Sequence, residues 1–426
     1  MRKNQSGNYF IFGLVLINLL LWLVFPPPND GRPHFANQVA AEIMSTSALI
    51  LMSCSIFLAT RPAFLEPFFN GLDKIYKTHK TIAILVILLI FGHFFVNAVL
   101  NQGFHLAPSL GKIAFIGLLI SVTLALAPRL PFIGGYISLA YHQWRFVHRF
   151  VGLFFLIAIL HSLRVQNVMQ LSPPINFYVR VISYIGAGLY LYKELLQPFI
   201  KRGHSYLVER VRRLNGTVVE VSMTPRSGKL SHRPGQFLFV RFPKEKGLRE
   251  PHPFTISSAP GEEQVRLTIK ASGDFTQELY DALADGAEVR LEGGYGMFNY
   301  KSGGKNQVWV AGGIGLTPFL SWMRDFDGGS GHSIDFYYTT RSADEALFLD
   351  EIEQAQQKNP GFRAKVMHSN RDGHLSAAKI VENSGPVTNK EIYLCGPFPM
   401  IMALRAQFMR LGVPARNIHY EEFSFR

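Results

Sequence analysis

The chain has 426 residues, a formal net charge of +13 at pH 7 and a hydrophobic fraction of 48%. The apolar runs end near residue 197, so the composition predicts a membrane half followed by a globular half. Much of the positive charge lies in short loops between apolar runs, which argues against nucleic-acid binding, and two cysteines are too few for a cysteine-ligated iron–sulfur cluster.

Six apolar segments are long enough to span a bilayer. They are predicted at Tyr9–Phe25, Val39–Ala59, Ile82–Leu100, Leu110–Ala127, Phe146–Leu163 and Ile175–Leu196. One face carries most of the basic residues, namely Arg2, Lys3, Arg61, Lys74, Lys77, Lys80, Arg129, Arg145, Arg149, Lys193, Lys201 and Arg202. Because cytoplasmic loops are enriched in Lys and Arg, we expect a multi-pass protein of the cell membrane with both termini in the cytoplasm.

Four histidines fall in or beside the third and fifth spans. His79 and His93 are fourteen residues apart, so their rings should share one helix face, about 21 Å apart along the axis. His148 and His161 are thirteen residues apart, which leaves about 140° between them on an ideal helix. A π-bulge or bend, near Gly152, is therefore expected in the fifth span.

The predicted orientation pairs His79 with His148 near the inner face and His93 with His161 near the outer face. Each pair offers two ligands, whereas zinc prefers four. A haem iron is already held by four porphyrin nitrogens and takes only axial ligands from the protein. Two bis-histidine b-type haems therefore fit these residues best, and a histidine-lined proton or metal transporter is the alternative.

The globular half begins with short strands separated by turns. Gly216–Ser222, Gly235–Arg241 and Val265–Lys270 predict a small antiparallel β-barrel. After Gln307, strands alternate with glycine turns and helices, which predicts a parallel sheet with crossover helices.

Two turns of that second region are candidate ligand sites. The first reads VWVAGGIGLTP over 308–318, where bare backbone amides precede a helix N-terminus and predict a pyrophosphate site. The second reads IYLCGPFPM over 392–400. In a doubly wound sheet both turns open at the carboxyl edge of the strands, where ligands bind.

A further motif, HPFTISS over 252–258, lies in the predicted barrel. With GGIGLTP and YLCGPFPM it resembles the ferredoxin–NADP reductase module. Preceded by six spans with paired histidines, the chain resembles the NADPH oxidase and ferric reductase superfamily in its compact bacterial form. The resemblance implies a membrane all-α six-helix bundle (1–200, the haem domain), an FAD-binding antiparallel β-barrel (201–300) and an NADPH-binding α/β domain (301–426).

The resemblance also implies which residues hold the two nucleotides. Thr255 would lie near the isoalloxazine, and Phe425, with Phe423 as its rival, would cover the flavin. The other implied FAD contacts are His252, Pro253, Phe254, Ser257, Ser258, Lys270, Gly273 and Thr276. The pyrophosphate of NADPH would meet Gly312, Gly313, Gly315, Thr317 and Pro318, its nicotinamide Cys395, Gly396 and Pro397, and its 2′-phosphate Arg341, which favours NADPH over NADH.

These observations predict a transmembrane oxidoreductase. Cytoplasmic NADPH would reduce FAD, and electrons would cross two b-type haems to oxygen on the outer face, producing superoxide. Reduction of a ferric chelate is the alternative, but the outer loops are short and carry few charges. No calcium-binding loop and no proline-rich motif beyond Pro26–Pro28 is present, so we expect activity without a partner protein.

Overall fold

The computed structural model describes residues 5–97, 109–126, 141–201, 203–326 and 331–421. It contains two compact units, a helical one formed by Gln5–Phe69 and Lys74–Ile200 and a second one formed mainly by the chain from Lys201 onward, which also takes in Asn70–Asp73. The second unit holds an antiparallel sheet and then a parallel sheet with helices. The predicted fold class is therefore confirmed.

Within the described residues, the helical unit has six long α-helices and two short ones. They are α1 (Ser6–Val24), α2 (Phe35–Ala59), α3 (Glu66–Phe69), α4 (Leu72–Phe95), α5 (Ser109–Leu126), α6 (Tyr141–Arg164), α7 (Pro173–Leu191) and α8 (Gln197–Ile200). Within the described residues, α1, α2, α4 and most of α6 are long and apolar enough to cross a membrane. The apolar part of α5 is shorter, and α7 carries Asn176 and Arg180, which lower its hydropathy.

Polar side chains between α1 and α2 are satisfied across the helix contact. The Asn18 amide donates to the hydroxyls of Thr46 and Ser47, each at 3.1 Å, and Trp22 donates to Thr46 at 3.3 Å. Such bonds link helices in a bilayer, where water cannot supply partners. Large apolar side chains cover the outer surface of α1, including Tyr9, which is 70% exposed.

The expected π-bulge in the fifth span is wrong. Helix α6 is continuous from Tyr141 to Arg164, and Gly152 is a packing position instead. A Cβ at Gly152 would lie 2.1 Å from the ring of Tyr190 on α7, so this glycine permits close helix contact. Of the described residues, Val96 and Asn97 and the turn Tyr192–Leu196 are π-helical.

The barrel sheet has six antiparallel strands in the order β4-β3-β6-β1-β2-β5. Their bounds are β1 His204–Arg213, β2 Val218–Ser227, β3 Phe237–Arg241, β4 His252–Thr255, β5 Val265–Lys270 and β6 Glu288–Tyr295, with helix α9 (Asp274–Ala282) between the last two. Alternating apolar residues of these strands form one buried core that includes Val221, Leu238 and Leu267.

The second sheet has five parallel strands in the order β11-β10-β7-β8-β9. The strands are β7 Asn306–Gly312, β8 Ser333–Thr340, β9 Phe362–His368, β10 Glu391–Cys395 and β11 Ile418–Glu421. The helices are α10 Thr317–Asp325, α11 Leu349–Lys358, α12 Ser369–Asp372, α13 Ala377–Ser384 and α14 Phe398–Arg410. The strand order reverses between β7 and β10, and such switch points form ligand crevices.

Candidate cofactor-binding sites

The structure brings His79 of α4 and His148 of α6 together. Their ring centroids are 6.0 Å apart and their planes make an angle of 70°. A bond from a metal to an imidazole nitrogen is about 2 Å long, which places each ring centroid about 3 Å from a shared metal. The observed separation therefore fits two axial ligands of one iron. Trp144 stacks on His148 at 5.0 Å and 9°, which fixes the orientation of its ring.

Both histidines of α4 are held by backbone carbonyls of α2. Nδ1 of His79 lies 3.1 Å from the Ser55 carbonyl oxygen and 2.8 Å from its hydroxyl, and Nδ1 of His93 lies 2.9 Å from the Ala41 carbonyl oxygen. A carbonyl only accepts, so the proton is assigned to Nδ1, and Nε2 keeps its lone pair. A backbone carbonyl that accepts a hydrogen bond from the ring nitrogen opposite the metal-binding one is typical of metal-ligating histidines.

The spacing of these acceptors matches that of the histidines. Ala41 and Ser55 are fourteen residues apart, as are His79 and His93, and the two helices run antiparallel where they meet. Helix α2 therefore fixes the rings of His79 and His93 in the same tautomer, at two different depths of the helical unit.

The histidines of α6 are held differently. Nδ1 of His148 and Nδ1 of His161 are buried and have no hydrogen-bond partner within the part of the chain that the structure describes. His161 packs against Gly111 of α5, where a Cβ would lie 2.8 Å from Cε1 and 2.9 Å from Nε2 of the ring. His161 is also near enough to His93 to interact with it electrostatically.

These observations define the kind of metal group that the histidines fit. Among the described residues, no cluster of three or more His, Cys, Asp or Glu side chains could hold a bare metal ion. Sites that offer two histidines, one of which has its tautomer fixed by a carbonyl of α2, suit the axial positions of haem, which carries its own equatorial nitrogens. His79, His93, His148 and His161 therefore fit the predicted haem-ligand set.

The predicted flavin motif forms strand β4 and the residues that follow it. Thr255, the last residue of β4, is 5% exposed, and its buried hydroxyl has no hydrogen-bond partner among the described groups. An unpaired hydroxyl of this kind is costly unless a ligand satisfies it, so Thr255 fits a polar edge of FAD. His252 stacks on Phe275 of α9 with centroids 3.8 Å apart, a neighbour that sequence reasoning missed.

Other predicted flavin contacts bond within the protein. The Ser257 hydroxyl donates to the Arg266 carbonyl at 3.0 Å, and the Ser258 hydroxyl accepts from the Arg266 amide at 3.1 Å. Thr276 accepts from the amides of Ser272 and Gly273, which caps α9. These side chains shape the loop and have part of their hydrogen-bonding capacity filled. Pro253 and Phe254 lie in β4, and Lys270 ends β5.

The two predicted nucleotide turns meet at the switch point of the parallel sheet. A Cβ at Gly315 would lie 2.4 Å from the carbonyl oxygen of Cys395, and one at Gly396 would lie 2.9 Å from Cα of Gly312. Only glycine allows the two backbones to approach this closely. Gly313 has φ of +53° with open space around its Cβ position, and Thr317 and Pro318 begin α10 beside it.

The remaining predicted nucleotide contacts have different surroundings. The Cys395 thiol is fully buried, and burial together with the Glu421 charge raises its pKa, so this position offers backbone rather than a reactive thiol. Pro397 precedes α14, at the same crevice. Arg341 is exposed directly after β8, at the carboxyl edge of the sheet. Phe423 and Phe425 lie outside the described residues.

Three protein families match consecutive parts of the chain. Residues 44–159 match the ferric reductase like transmembrane component, residues 204–310 an FAD-binding domain, and residues 309–406 an oxidoreductase NAD-binding domain. The chain therefore combines a ferric reductase-like membrane component with the two nucleotide-binding domains of an oxidoreductase.

The curated relatives match about half of this chain. The reductase component of propane 2-monooxygenase from Mycolicibacterium goodii is 29% identical over 49% of this chain and 64% of its own length. Flavohemoprotein A from Dictyostelium discoideum is 24% identical over 57% of this chain and 66% of its own length. The chain thus spans less than two thirds of these curated relatives.

Solved structures that are similar to this chain cover either most of it or about half of it. Flavohemoglobin from Malassezia yamatoensis, with bound FAD and heme, aligns over 90% of this chain and 99% of its own with a TM-score of 0.50 and 17% identity, which shows a shared fold. The FAD/NAD-binding domain of nitric oxide dioxygenase from Vibrio cholerae covers 52% of this chain and 98% of its own, with a TM-score of 0.46 and 24% identity.

Proposed function

We propose that the chain carries electrons across the cell membrane from cytoplasmic NADPH to oxygen, releasing superoxide. Its three domain matches, taken together, have the architecture of the NADPH oxidase and ferric reductase superfamily, which supports this proposal. When bound, FAD takes a hydride from NADPH and releases electrons singly, and two b-type haems relay them. The chain's own residues bind and orient these groups. Reduction of a ferric chelate is the alternative acceptor reaction.

The arrangement of His79 and His93 against α2 carries this proposal. Carbonyls with matching spacing fix both rings with Nδ1 protonated, which leaves two metal-binding nitrogens at two depths. A proton-conducting chain would instead need imidazoles able to change tautomer, and a carbonyl partner on Nδ1 opposes that change. The contacts therefore favour haem ligation over transport.

In the second unit, different residues suit the flavin, the pyrophosphate and the 2′-phosphate of the two nucleotides. The buried Thr255 hydroxyl is available to a polar flavin atom. The backbone amides of Gly313 and Gly315, next to the N-terminus of α10, suit a pyrophosphate. Arg341 at the neighbouring strand end suits a 2′-phosphate, which supports NADPH rather than NADH.

The charges of the loop predicted to be outside favour oxygen over a ferric chelate as the electron acceptor. Arg32, in the loop predicted to be outside, pairs with Asp30 at 2.6 Å and donates to the Gln166 carbonyl oxygen at 3.0 Å. Its positive charge is therefore already neutralised, which disfavours capture of an anionic ferric chelate there. Oxygen is small and apolar and needs no such site. We propose that both termini are cytoplasmic and that no partner protein is required.

A difference spectrum of the purified full-length protein tests the proposal first. We expect dithionite to produce the Soret and α bands of low-spin b-type haem, and NADPH to produce the same bands without oxygen. NADPH oxidation in air should then yield superoxide that superoxide dismutase intercepts. Absence of haem would refute both reductase hypotheses, and oxygen consumption that a ferric chelate suppresses would favour the metal-reductase alternative.

Substitution of His93 tests the order of the two haem sites. H93L should lose roughly half of the haem per FAD, because one axial ligand of the outer site is removed. Anaerobic flavin reduction by NADPH should be unchanged, and superoxide production should stop. H204Q, at an exposed histidine of β1, is the control and should leave both unaffected. Normal superoxide production by H93L would overturn the assignment.

A further inference from the structure

Two side chains of helix α10 donate hydrogen bonds to the end of the flavin motif. Its Ser321 hydroxyl donates to the Ser258 carbonyl oxygen at 2.8 Å, and its Arg324 guanidinium donates through Nη1 to the Ser257 carbonyl oxygen at 2.7 Å. The same helix begins at Thr317, directly after the GGIGL turn. The first eight residues of α10, from Thr317 to Arg324, therefore connect the nicotinamide-nucleotide turn to the segment that follows β4.

Arg324 is held in place by carboxylates. Nε and Nη2 each lie 2.7 Å from an oxygen of Glu351 on α11, and Nη2 lies 3.6 Å from Glu220 on β2. The side chains of Arg324 and Glu220 are only 9% and 6% exposed. A planar guanidinium can bind a carboxylate with two parallel bonds while its third nitrogen reaches elsewhere, which an ammonium cannot do.

The charge balance of this cluster supports a fixed geometry. Burial would raise the pKa of Glu351, but the hydrogen bonds and charge of Arg324 outweigh it and hold that pKa below its usual value. Arg212 pairs with Glu220 at 2.8 Å, so both carboxylates have cationic partners. Arg324 thus links β2 and the flavin motif of the barrel with α10 and α11 of the nucleotide domain.

We propose that Arg324, assisted by Ser321, is a positioning residue for hydride transfer, because it fixes the flavin-binding segment relative to the nicotinamide-binding turns. This inference rests on the proposed function. In the step concerned, a C–H bond of dihydronicotinamide breaks and its hydride carries two electrons to FAD, which leaves NADP⁺ and reduced flavin. Such a transfer is sensitive to displacements of about 1 Å, which can cost on the order of a hundredfold in rate.

The test compares two conservative substitutions in the full-length, FAD-loaded protein. R324K keeps the charge but cannot hold Glu351 and the Ser257 carbonyl together. R363K is the matched control, because Arg363 also bonds a carboxylate, Asp335, through two nitrogens at 2.9 and 2.6 Å, but both residues lie within the parallel sheet. Anaerobic stopped-flow measurement of flavin reduction at saturating NADPH reports the hydride step.

We expect R324K to slow the limiting rate of flavin reduction by about tenfold or more, with FAD content and the half-saturating NADPH concentration within about twofold of the parent. R363K should keep the parent rate. S321A, which removes one hydroxyl, should slow the step by about threefold and covers the case in which R324K does not fold.

Equal limiting rates in R324K, S321A and R363K would overturn the inference, as would a rate loss that follows loss of FAD. If the parent protein itself does not reduce FAD with NADPH, the proposed function fails instead. The two failures are therefore distinguishable in one set of measurements.

Discussion

His161 packs so closely on Gly111 that a methyl group added at position 111 should displace the His161 ring. A Cβ at Gly111 would lie 2.8 to 3.1 Å from three atoms of the His161 ring. We expect G111A to displace the ring and to lower the haem content by roughly half, because the outer site loses a ligand. G188A is the matched control, since nothing lies within 4 Å of its added Cβ. Haem content by pyridine haemochrome should separate the two variants, and equal content would contradict the assignment.

Burial of His232 predicts an acid sensitivity. Its side chain lies near the flavin motif and is 9% exposed, and burial lowers its pKa, an effect that nearby carbonyls of Ser258 and Leu230 only partly offset. Neither ring nitrogen has a hydrogen-bond partner of normal geometry among the described residues. The unfolded chain therefore takes up the proton first as the pH falls.

The stability that neutral His232 contributes is present above its unfolded pKa of about 6.5 and is lost as the pH falls below it. We expect the melting temperature of the parent protein to fall between pH 7 and pH 5, and H232F to show a smaller fall. Thermal unfolding at several pH values measures this difference. Parallel pH profiles would contradict this prediction, because they would show that His232 has the same pKa in the folded and the unfolded chain.

Sequence reasoning could identify the four histidines but not what holds them. Histidines in apolar segments are rare, so their spacing is visible in the sequence. Ala41 and Ser55 bond the histidines through their backbone carbonyls. Every residue has such a carbonyl, so no side-chain pattern in the sequence could predict these contacts. The same limit applies to Ser257 and Ser258, whose carbonyls contact α10 although their hydroxyls suggested ligand contact.

The expected π-bulge assumed that a regular helix could not bring both His148 and His161 to their partners on α4. In the structure α6 is an unbroken α-helix. His148 nevertheless lies beside His79, and His161 packs on Gly111 of α5 while it still interacts electrostatically with His93.

The π-helical turn Tyr192–Leu196 follows α7, and it is bonded to α6 through Glu194 and to the end of α2 through the next residue, Gln197. Glu194 pairs with Arg149 of α6 at 2.6 Å, and Gln197 donates to the carbonyl oxygen of Thr60, after α2, at 2.7 Å. Such turns often occur at functional sites because they redirect side chains. Here the turn carries Lys193, which interacts electrostatically with both histidines of the inner pair.

A positive charge on Lys193 should tune the haem that we propose between His79 and His148. Positive charge stabilises the reduced form of a haem, so K193Q should lower the midpoint potential of the inner haem by some tens of millivolts, whereas K193R should preserve it. A potentiometric titration followed at the α band measures both values. Unchanged potential in K193Q, with full haem content, would mean that the Lys193 ammonium is screened from the site.

At the scale of the whole molecule, the sequence predicted the division into a helical part and a nucleotide-binding part. Composition changes near residue 197, and the main segment of the second unit begins at Lys201. Motifs at the ends of β7 and β10 also indicated the switch point, because parallel strands place their carboxyl ends at one edge. The contact of Arg324 with the Ser257 carbonyl could not be predicted, since it joins residues 67 positions apart in the chain.

The second unit should work without the first. Its two sheets have their own buried cores, and the described residues assigned to FAD and NADPH all lie within it. We expect a fragment beginning at Lys201 to fold, bind FAD and reduce ferricyanide with NADPH, while showing no Soret band. G315A in the same fragment should keep FAD and lose NADPH-dependent activity, because its Cβ would collide with the Cys395 carbonyl oxygen at 2.4 Å. A fragment that folds but retains no FAD would show that the flavin site depends on the helical unit, and a Soret band in it would contradict the assignment of haem to the histidines of α4 and α6.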